Sequence, residues 1–407
     1  MSYVHPLIYD WNTVNVPAPA SVVSVMLDDE TLRDGLQSPS VRTPDIDEKI
    51  RILHLIDSLG IDTLDVGLPG AGAHVAQDAE RLVREIVSAG LRVRPNCAAR
   101  TLEADIAPIA EIAQLTGIAI ECCTFIGSSP IRQFTEDWSL DRLQQLTEKA
   151  VMFAVREGLP VLYVTEDTTR ADPESLRRLY SAAIRAGATR LCIADTVGHA
   201  TPTGAAAVVK FVQSIVDECG GGIGIDWHGH RDRDFAIANS LAAMDAGATR
   251  LHGAAIGIGE RVGNTPMDLL LVNLVLMGHR QADLSRLAEY ARVVSEACRV
   301  PLPQNYPVLG HDAFRTATGV HAAAVIKAFK KHDAALVDAV YSGVPASLVG
   351  REQEIDVGPM SGKSNVIYWL EKRGFEATDE RVDRIFRAAK VADTVLSEEE
   401  IRRIISR

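Results

Sequence analysis

The stretch Asp29-Glu30-Thr31-Leu32-Arg33-Asp34-Gly35-Leu36-Gln37, entered from the apolar run Val22-Val23-Ser24-Val25-Met26-Leu27, decides how the rest of the chain is read. The apolar run has the length and β-branched content of a buried strand. A carboxylate beside a guanidinium where such a strand ends is costly to place unless the pair binds something. A second strand of this kind, Ile223-Gly224-Ile225-Asp226-Trp227, ends much later in His228-Gly229-His230. Residues i and i+2 of a strand face the same side, so the two imidazoles converge. With Asp34 they make an N/N/O set suited to a divalent cation.

Working outward, short β-branched runs alternate with amphipathic helical patterns. Strands are expected over 22–28, 61–67, 91–98, 117–125, 159–165, 188–194, 222–228 and 249–256. In 45–59, Ile46, Ile50, Leu53 and Ile56 fall at helical spacing, and Asp45 and Asp47 stand at the start, where the helix dipole favours them. Pro173 and Pro202 stand near helix starts, where a missing N–H is tolerated. Ala-Gly-Ala-Thr-Arg-Leu occurs at 186–191 and again at 246–251, each time leading from a helix into a strand. Eight strand–helix cycles in about 260 residues give a (β/α)8 TIM barrel, with a doubly wound open sheet as the runner-up. The expected division is an irregular arm over 1–20, a barrel over 21–282, and a post-barrel linker, small mixed module and helical segment over 283–407.

The bulk composition narrows the class. A chain of 407 residues, 47% hydrophobic and 24% charged, is a globular protein. A net charge of −12 argues against nucleic acid or an anionic membrane as the main partner. There is no apolar run of membrane-spanning length and no signal-peptide pattern. The six cysteines include no CxxC pair. A cytoplasmic enzyme with reduced thiols is therefore expected.

Nearly every expected strand ends in side chains able to do chemistry. They are Arg33, Asp34 and Gln37 after the first, Asp65 after the second, and Asn96 to Arg100 after the third. Cys123-Thr124-Phe125 follows the fourth, Glu166-Asp167 the fifth, Asp195-Thr196 the sixth, His228 and His230 the seventh, and Asn264 closes the run after the eighth. Set against chance, a lone His-x-His is more often a satisfied pair; joined to Asp34 and Asn264 it reads as a metal site. Glu166 is the better catalytic candidate of its pair, and Asp167 reads as a helix-start charge. Gly257-Ile258-Gly259 lacks the spacing of a phosphate loop. His74, His199 and His252 have no evident partners and read as structural or rim residues.

Leu32-Arg33-Asp34-Gly35-Leu36-Gln37, His228-Gly229-His230-Arg231-Asp232, Ala236-Ile237-Ala238-Asn239 and Gly257-Ile258-Gly259-Glu260-Arg261-Val262-Gly263-Asn264 together resemble the metal-dependent acyl-CoA barrel superfamily. That group holds the 2-isopropylmalate, homocitrate and citramalate synthases and the hydroxymethylglutaryl-CoA lyases. The resemblance runs over roughly residues 25–365. It implies a TIM barrel in which Asp34, His228 and His230 bind the metal, with Asn264 beside or in the coordination shell. Mg²⁺, Mn²⁺ and Zn²⁺ all suit that ligand set.

Thr318-Gly319-Val320-His321 and Gly358-Pro359-Met360-Ser361-Gly362-Lys363 resemble synthase segments that lyases lack, so a synthase is implied. The chain ends near residue 407, and the leucine-binding C-terminal domain of full-length isopropylmalate synthases is not expected. Departures are equally specific. Leu36 matches the lyases, Asp65 replaces a more usual Glu, Cys123 stands where isopropylmalate synthases have His, and Leu162 and Val164 replace polar residues of homocitrate synthases. That apolar pair argues against 2-oxoglutarate. Arg100 and Arg132 remain candidates for holding an acidic group.

The reaction implied is condensation of an acyl-CoA, most often acetyl-CoA, with a 2-oxo acid, followed by thioester hydrolysis. The resemblance casts Arg33 as stabiliser of the developing alkoxide. His321 is the base, donated by a neighbouring subunit of a homodimer, with Glu166 and Tyr341 assisting. Gln37, Asp65, Cys123, Thr196 and Arg100 are the expected substrate contacts. A metal-dependent lyase is the alternative, and a barrel that binds without turnover is the third reading.

Overall fold

The computed structural model describes residues 5–14 and 25–406. Parts of the expected arm 1–20 and of the strand 22–28 thus lie outside the described residues. Within 5–14 there is one turn of 3-10 helix, Trp11–Thr13, whose first N–H groups are met by Asp10. By internal contacts the chain forms two compact units, one of Ser21–Ala282 with Glu289–Pro301, the other of Met1–Ala20, Asp283–Ala288 and Leu302–Arg407.

The first unit is a closed barrel of eight parallel strands: β1 (Met26–Asp29), β2 (Thr63–Asp65), β3 (Arg94–Arg100), β4 (Glu121–Gly127), β5 (Val161–Glu166), β6 (Arg190–Asp195), β7 (Gly224–Gly229) and β8 (Arg250–Gly253). They pair in sequence order, and β8 closes onto β1 with Met26 opposite Arg250 and Asp29 opposite Gly253. This is the TIM barrel, and the open sheet is excluded. Strands β2 and β8 are shorter than expected because the chain turns early. Asp65 bends back to accept from the Gly67 N–H, and Ala255–Gly257 coils into a 3-10 turn whose Ile256 N–H is taken by Asp268.

The intervening helices start and stop where local chemistry dictates. Ile46–Ser58 opens on a reciprocal capping box between Asp45 and Glu48. Pro173 and Pro202 each occupy a first helical position behind a side-chain cap, Asp172 and Thr201 respectively. In the repeated hexapeptide, Gly187 (φ 109°) and Gly247 (φ 119°) both sit where a helix gives way to a strand, in a left-handed conformation that a side chain would resist.

The two arginines of that repeat meet. Arg190 Nε donates to Asp226 Oδ1 (2.7 Å) and Arg250 Nε to Asp226 Oδ2 (2.6 Å), from the strands on either side of β7. Arg250 also reaches Glu121, and His252 Nε2 lies 2.9 Å from Asp226 Oδ2. On the other side His252 Nδ1 meets Glu30 (3.0 Å), while Asn96 and Thr63 donate to Asp28. Here the barrel interior is a charged layer, not an apolar one.

The second unit carries a two-stranded parallel sheet, β9 (Arg315–Thr316) with β10 (Glu354–Ile355), and the helix Gly319–Phe329. Ala322, Val325, Ile326, Val337 and Ile355 form its core. Helices Lys363–Lys372, Asp379–Lys390 and Glu398–Ile405 enclose a further core around Val366, Trp369, Leu370 and Ile385. The Gly358–Lys363 segment is a tight corner. Ser361 Oγ accepts from the Gly358 N–H and donates to the Ala317 carbonyl, and Lys390 donates to the carbonyls of Pro359 and Ser361. Among the described residues no helix is long and apolar enough to cross a membrane.

Burial opposes the charge of His252, but Glu30 and Asp28 override it and push its pKa up to about 10. The unfolded imidazole titrates near 6.5, so the folded state holds the extra proton between the two values. This contribution to stability is complete below about pH 6.5 and is lost as pH rises through about 10, at up to about 1.4 kcal/mol per pH unit. Urea unfolding in the presence of a metal chelator should show stability falling across that window, and His252→Gln should flatten the fall.

Candidate active site

The C-terminal ends of the strands surround a cavity of about 290 Å³. One side of it is charged, with Asp28, Glu30, Arg33, Asp34, Asp65, His228, His230 and His252; the other is apolar, with Ala98, Cys123, Leu162, Val164, Cys192 and Ala194.

Asp34 begins a 3-10 turn, Asp34–Gln37, just past β1, which turns its carboxylate back over the barrel mouth. Arg33 beside it is held by three carboxylates: Nε donates to Asp65 (2.7 Å), Nη1 to Asp34 (2.9 Å) and Nη2 to Glu30 (3.3 Å). One guanidinium cannot fully serve three anions. Burial, with Glu30 and Asp28 adding to it, pushes Asp65 up to about 7 even against the pull of Arg33. For Asp34 burial works the same way, but Arg33 and then His228 reverse it and hold the carboxyl below its ordinary range.

His228 and His230 project from the end of β7 with their Nε2 atoms 3.1 Å apart. Asp34 Oδ2 lies 3.7 Å from His230 Nε2 and 4.0 Å from His228 Nε2. Burial, His228 and Arg261 push His230 down to about 4, so its ring is neutral and offers a lone pair. Asn264 Nδ2 donates to Asp34 Oδ2 (2.7 Å), and its buried Oδ1 has no hydrogen-bond partner among the described residues. Two neutral-capable imidazoles, a carboxylate and an orphaned amide oxygen fit a divalent cation, whose bonds of about 2.1 Å can span these separations.

The remaining expected residues divide. Gln37, Asp65, Cys123, Glu166 and Thr196 line the cavity. Thr196 Oγ1 accepts from the Asp167 N–H (2.8 Å), which leaves its own hydroxyl proton to donate. Glu166 is raised by burial, with Arg132 opposing and 3.8 Å away. Arg100 is not brought to the cavity, because its guanidinium forks onto Asp105 at 2.7 and 2.9 Å. Asp167 stands at the N-cap of the 3-10 turn Thr168–Arg170 but makes no side-chain capping bond; its backbone is left-handed and its carboxylate grips Arg170 and Ser129. His321 and Tyr341 belong to the second unit, where their rings stack with centroids 4.3 Å apart.

Sequence reasoning missed Glu30, Asp28 and His252, all of which line the cavity. His252 is no rim residue; it is buried between two carboxylates. The available signal was alternation, since Asp28 and Glu30, like Arg250 and His252, are i, i+2 pairs on one strand face.

With this geometry in hand, comparison with known proteins is informative. The HMGL-like family model matches residues 24–294. The chain is 32% identical over 380 residues to the homocitrate synthase AksA of Methanopyrus kandleri, covering 90% of this chain and 87% of that one. It is 31% identical over 371 residues to a probable 2-isopropylmalate synthase of the same organism, covering 90% and 69%. Among solved structures, the HMG-CoA lyase of Bacillus subtilis superposes with a TM-score of 0.58 at 20% identity, over 71% of this chain and 98% of that one, a likeness of fold. The family model spans the whole barrel and the relatives extend along nine-tenths of the chain, so this chain belongs to the HMGL-like family.

Proposed function

We propose that the protein is a metal-dependent condensing acyltransferase that joins an acyl-CoA, in the simplest case acetyl-CoA, to a 2-oxo acid with an aliphatic side chain. The products are a 2-alkylmalate-type acid and free CoA. The observation that carries this reading is the convergence of Asp34, His228 and His230 within 3.1–4.0 Å beside the immobilised Arg33. Relatives named as homocitrate, isopropylmalate and citramalate synthases, near 30% identity over most of the chain, support the same reaction class.

Asp34, His228 and His230, with Asn264 beside them, would hold the divalent ion, which would supply Lewis-acid polarisation of the oxo acid's ketone. The thioester methyl loses a proton, its carbon bonds to the ketone carbon, and the ketone oxygen becomes an alkoxide. Arg33 is pinned before the reaction starts and needs no reorganisation to meet that charge. Water then cleaves the thioester, giving a carboxylic acid and the CoA thiol. His321 is the proposed base, contributed by the second copy of a homodimer, with Glu166 and Tyr341 in assisting roles. Gln37 and Thr196 hold the oxo acid.

The cavity's apolar side supports the choice of substrate. Among the described residues its lining arginines and His252 are engaged: Arg33 with three acids, His252 with Glu30 and Asp226, Arg261 with Asp232. Cys123, Leu162 and Cys192 offer a packed apolar wall, with Val164 against it.

A thiol-release assay with acetyl-CoA and a panel of 2-oxo acids tests this. Release is expected only with an oxo acid, and faster with alkyl side chains than with 2-oxoglutarate. Release with none, together with cleavage of a hydroxyacyl-CoA, would mean a lyase. Arg33→Met should lower kcat by about 10²–10³-fold at saturating metal, the range for a lost oxyanion donor, and weaken metal binding as well, because the same guanidinium holds Asp34. His321→Ala should lower turnover by about 10²–10⁴-fold. Mixing His321→Ala with Asp34→Asn subunits should restore part of the activity if the base crosses between subunits; no recovery would place it in the same chain.

A further inference from the structure

We propose that Glu30 is a positioning residue for the candidate metal centre: it fixes His228 with Nδ1 toward its own carboxylate and Nε2 toward Asp34 and His230, while His252 braces Glu30 from behind. This inference rests on the metal-centre reading above.

The contacts are connected from one residue to the next inside the barrel. Glu30 Oε1 is anchored by His252 Nδ1 (3.0 Å) and Arg33 Nη2 (3.3 Å). Its buried Oε2 has no aligned donor among the described residues and lies 2.7 Å from His228 Nδ1. A buried carboxylate oxygen without a donor is costly, and the adjacent ring N–H meets that need with a small rotation. A neutral imidazole has one N–H and one lone pair. Placing the lone pair on Nδ1 would set it against a carboxylate oxygen at 2.7 Å, so the proton belongs on Nδ1 and the lone pair on Nε2. Nε2 is the atom that faces His230 and Asp34.

Glu30, His228 and His252 are themselves close enough to surround a cation. His252, however, has both ring nitrogens on carboxylates, Glu30 and Asp226, and Asp226 is in turn clamped by Arg190 and Arg250. The group is therefore a hydrogen-bonded brace, not a second metal site. Buried ion pairs are poor sources of stability, since desolvation offsets their attraction. A buried chain of them that ends on one metal-facing imidazole is better explained by orientation. Partners of this kind typically change metal affinity by about 10–100-fold.

The test uses the whole chain and Zn²⁺. Affinity measured by competition with a chromogenic chelator should fall by about 10–100-fold in Glu30→Gln. The double variant Glu30→Gln/His252→Gln removes both charges and relieves any misfolding due to imbalance; its affinity should stay low. Nitrogen-15 histidine spectra of metal-free wild type should show His228 protonated on Nδ1, a preference lost in Glu30→Gln. Unchanged affinity in Glu30→Gln, recovery in the double variant, or Nε2 protonation of His228 in wild type overturns the proposal. A wild type that binds no Zn²⁺ overturns the metal-centre reading and this inference together, whereas normal wild-type binding with an unaffected Glu30→Gln overturns this inference alone.

Discussion

Asp28, Glu30, Asp34 and Asp65 are buried together at the ends of β1 and β2. Such a concentration of anions in a water-poor space is tolerated only if fixed cations answer it. Two groups do so. Arg33 binds three of the four from the mouth of the barrel, and His252, kept protonated by the same acids, approaches from below. Everything at the site inherits its rigidity from this compensation. Arg33 cannot swing, Asp34 is presented at a set angle with Asn264 as its second holder, and the β7 histidines face a carboxylate that stays ionised.

That arrangement divides the cavity by chemistry. The β7, β8 and β1 side is polar and charged, and the β4 to β6 side is apolar apart from Glu166 and Thr196. A small molecule with an oxo-acid head and an alkyl tail has the matching polarity, and its orientation follows before any specific contact is considered. In the proposed reading the head would lie toward Arg33 and the candidate ligands, and the tail toward Leu162 and Cys192.

Much of this was legible in the chain itself. Strands buried on both faces read as unbroken apolar runs, and helices with clear caps separate them, so the eight-fold rhythm survives in one dimension. The His-x-His spacing and Arg33-Asp34 were legible because each is local. What failed was non-local. In sequence His252 shows no partner, because Glu30 follows β1 and Asp226 lies on β7, and the three come together only when the barrel closes. Arg100 reads as a substrate contact because nothing in a strand end reveals that Asp105, in the next helix, takes its guanidinium. Asp167 reads as a helix-start charge and does precede a short 3-10 turn, but its left-handed backbone redirects the carboxylate to Arg170.

The clamp on Asp226 has a consequence for assembly of the barrel. A parallel strand with apolar residues on both faces can slide by one position and lose little, because either face would still be greasy. Strand β7 has no such freedom. Displaced by one residue, it would turn Asp226 outward among the helices and leave Arg190 and Arg250 stranded inside without a counter-charge. The acid and its flanking arginines thus act as a keyway, admitting one alignment of the strand that carries both histidines.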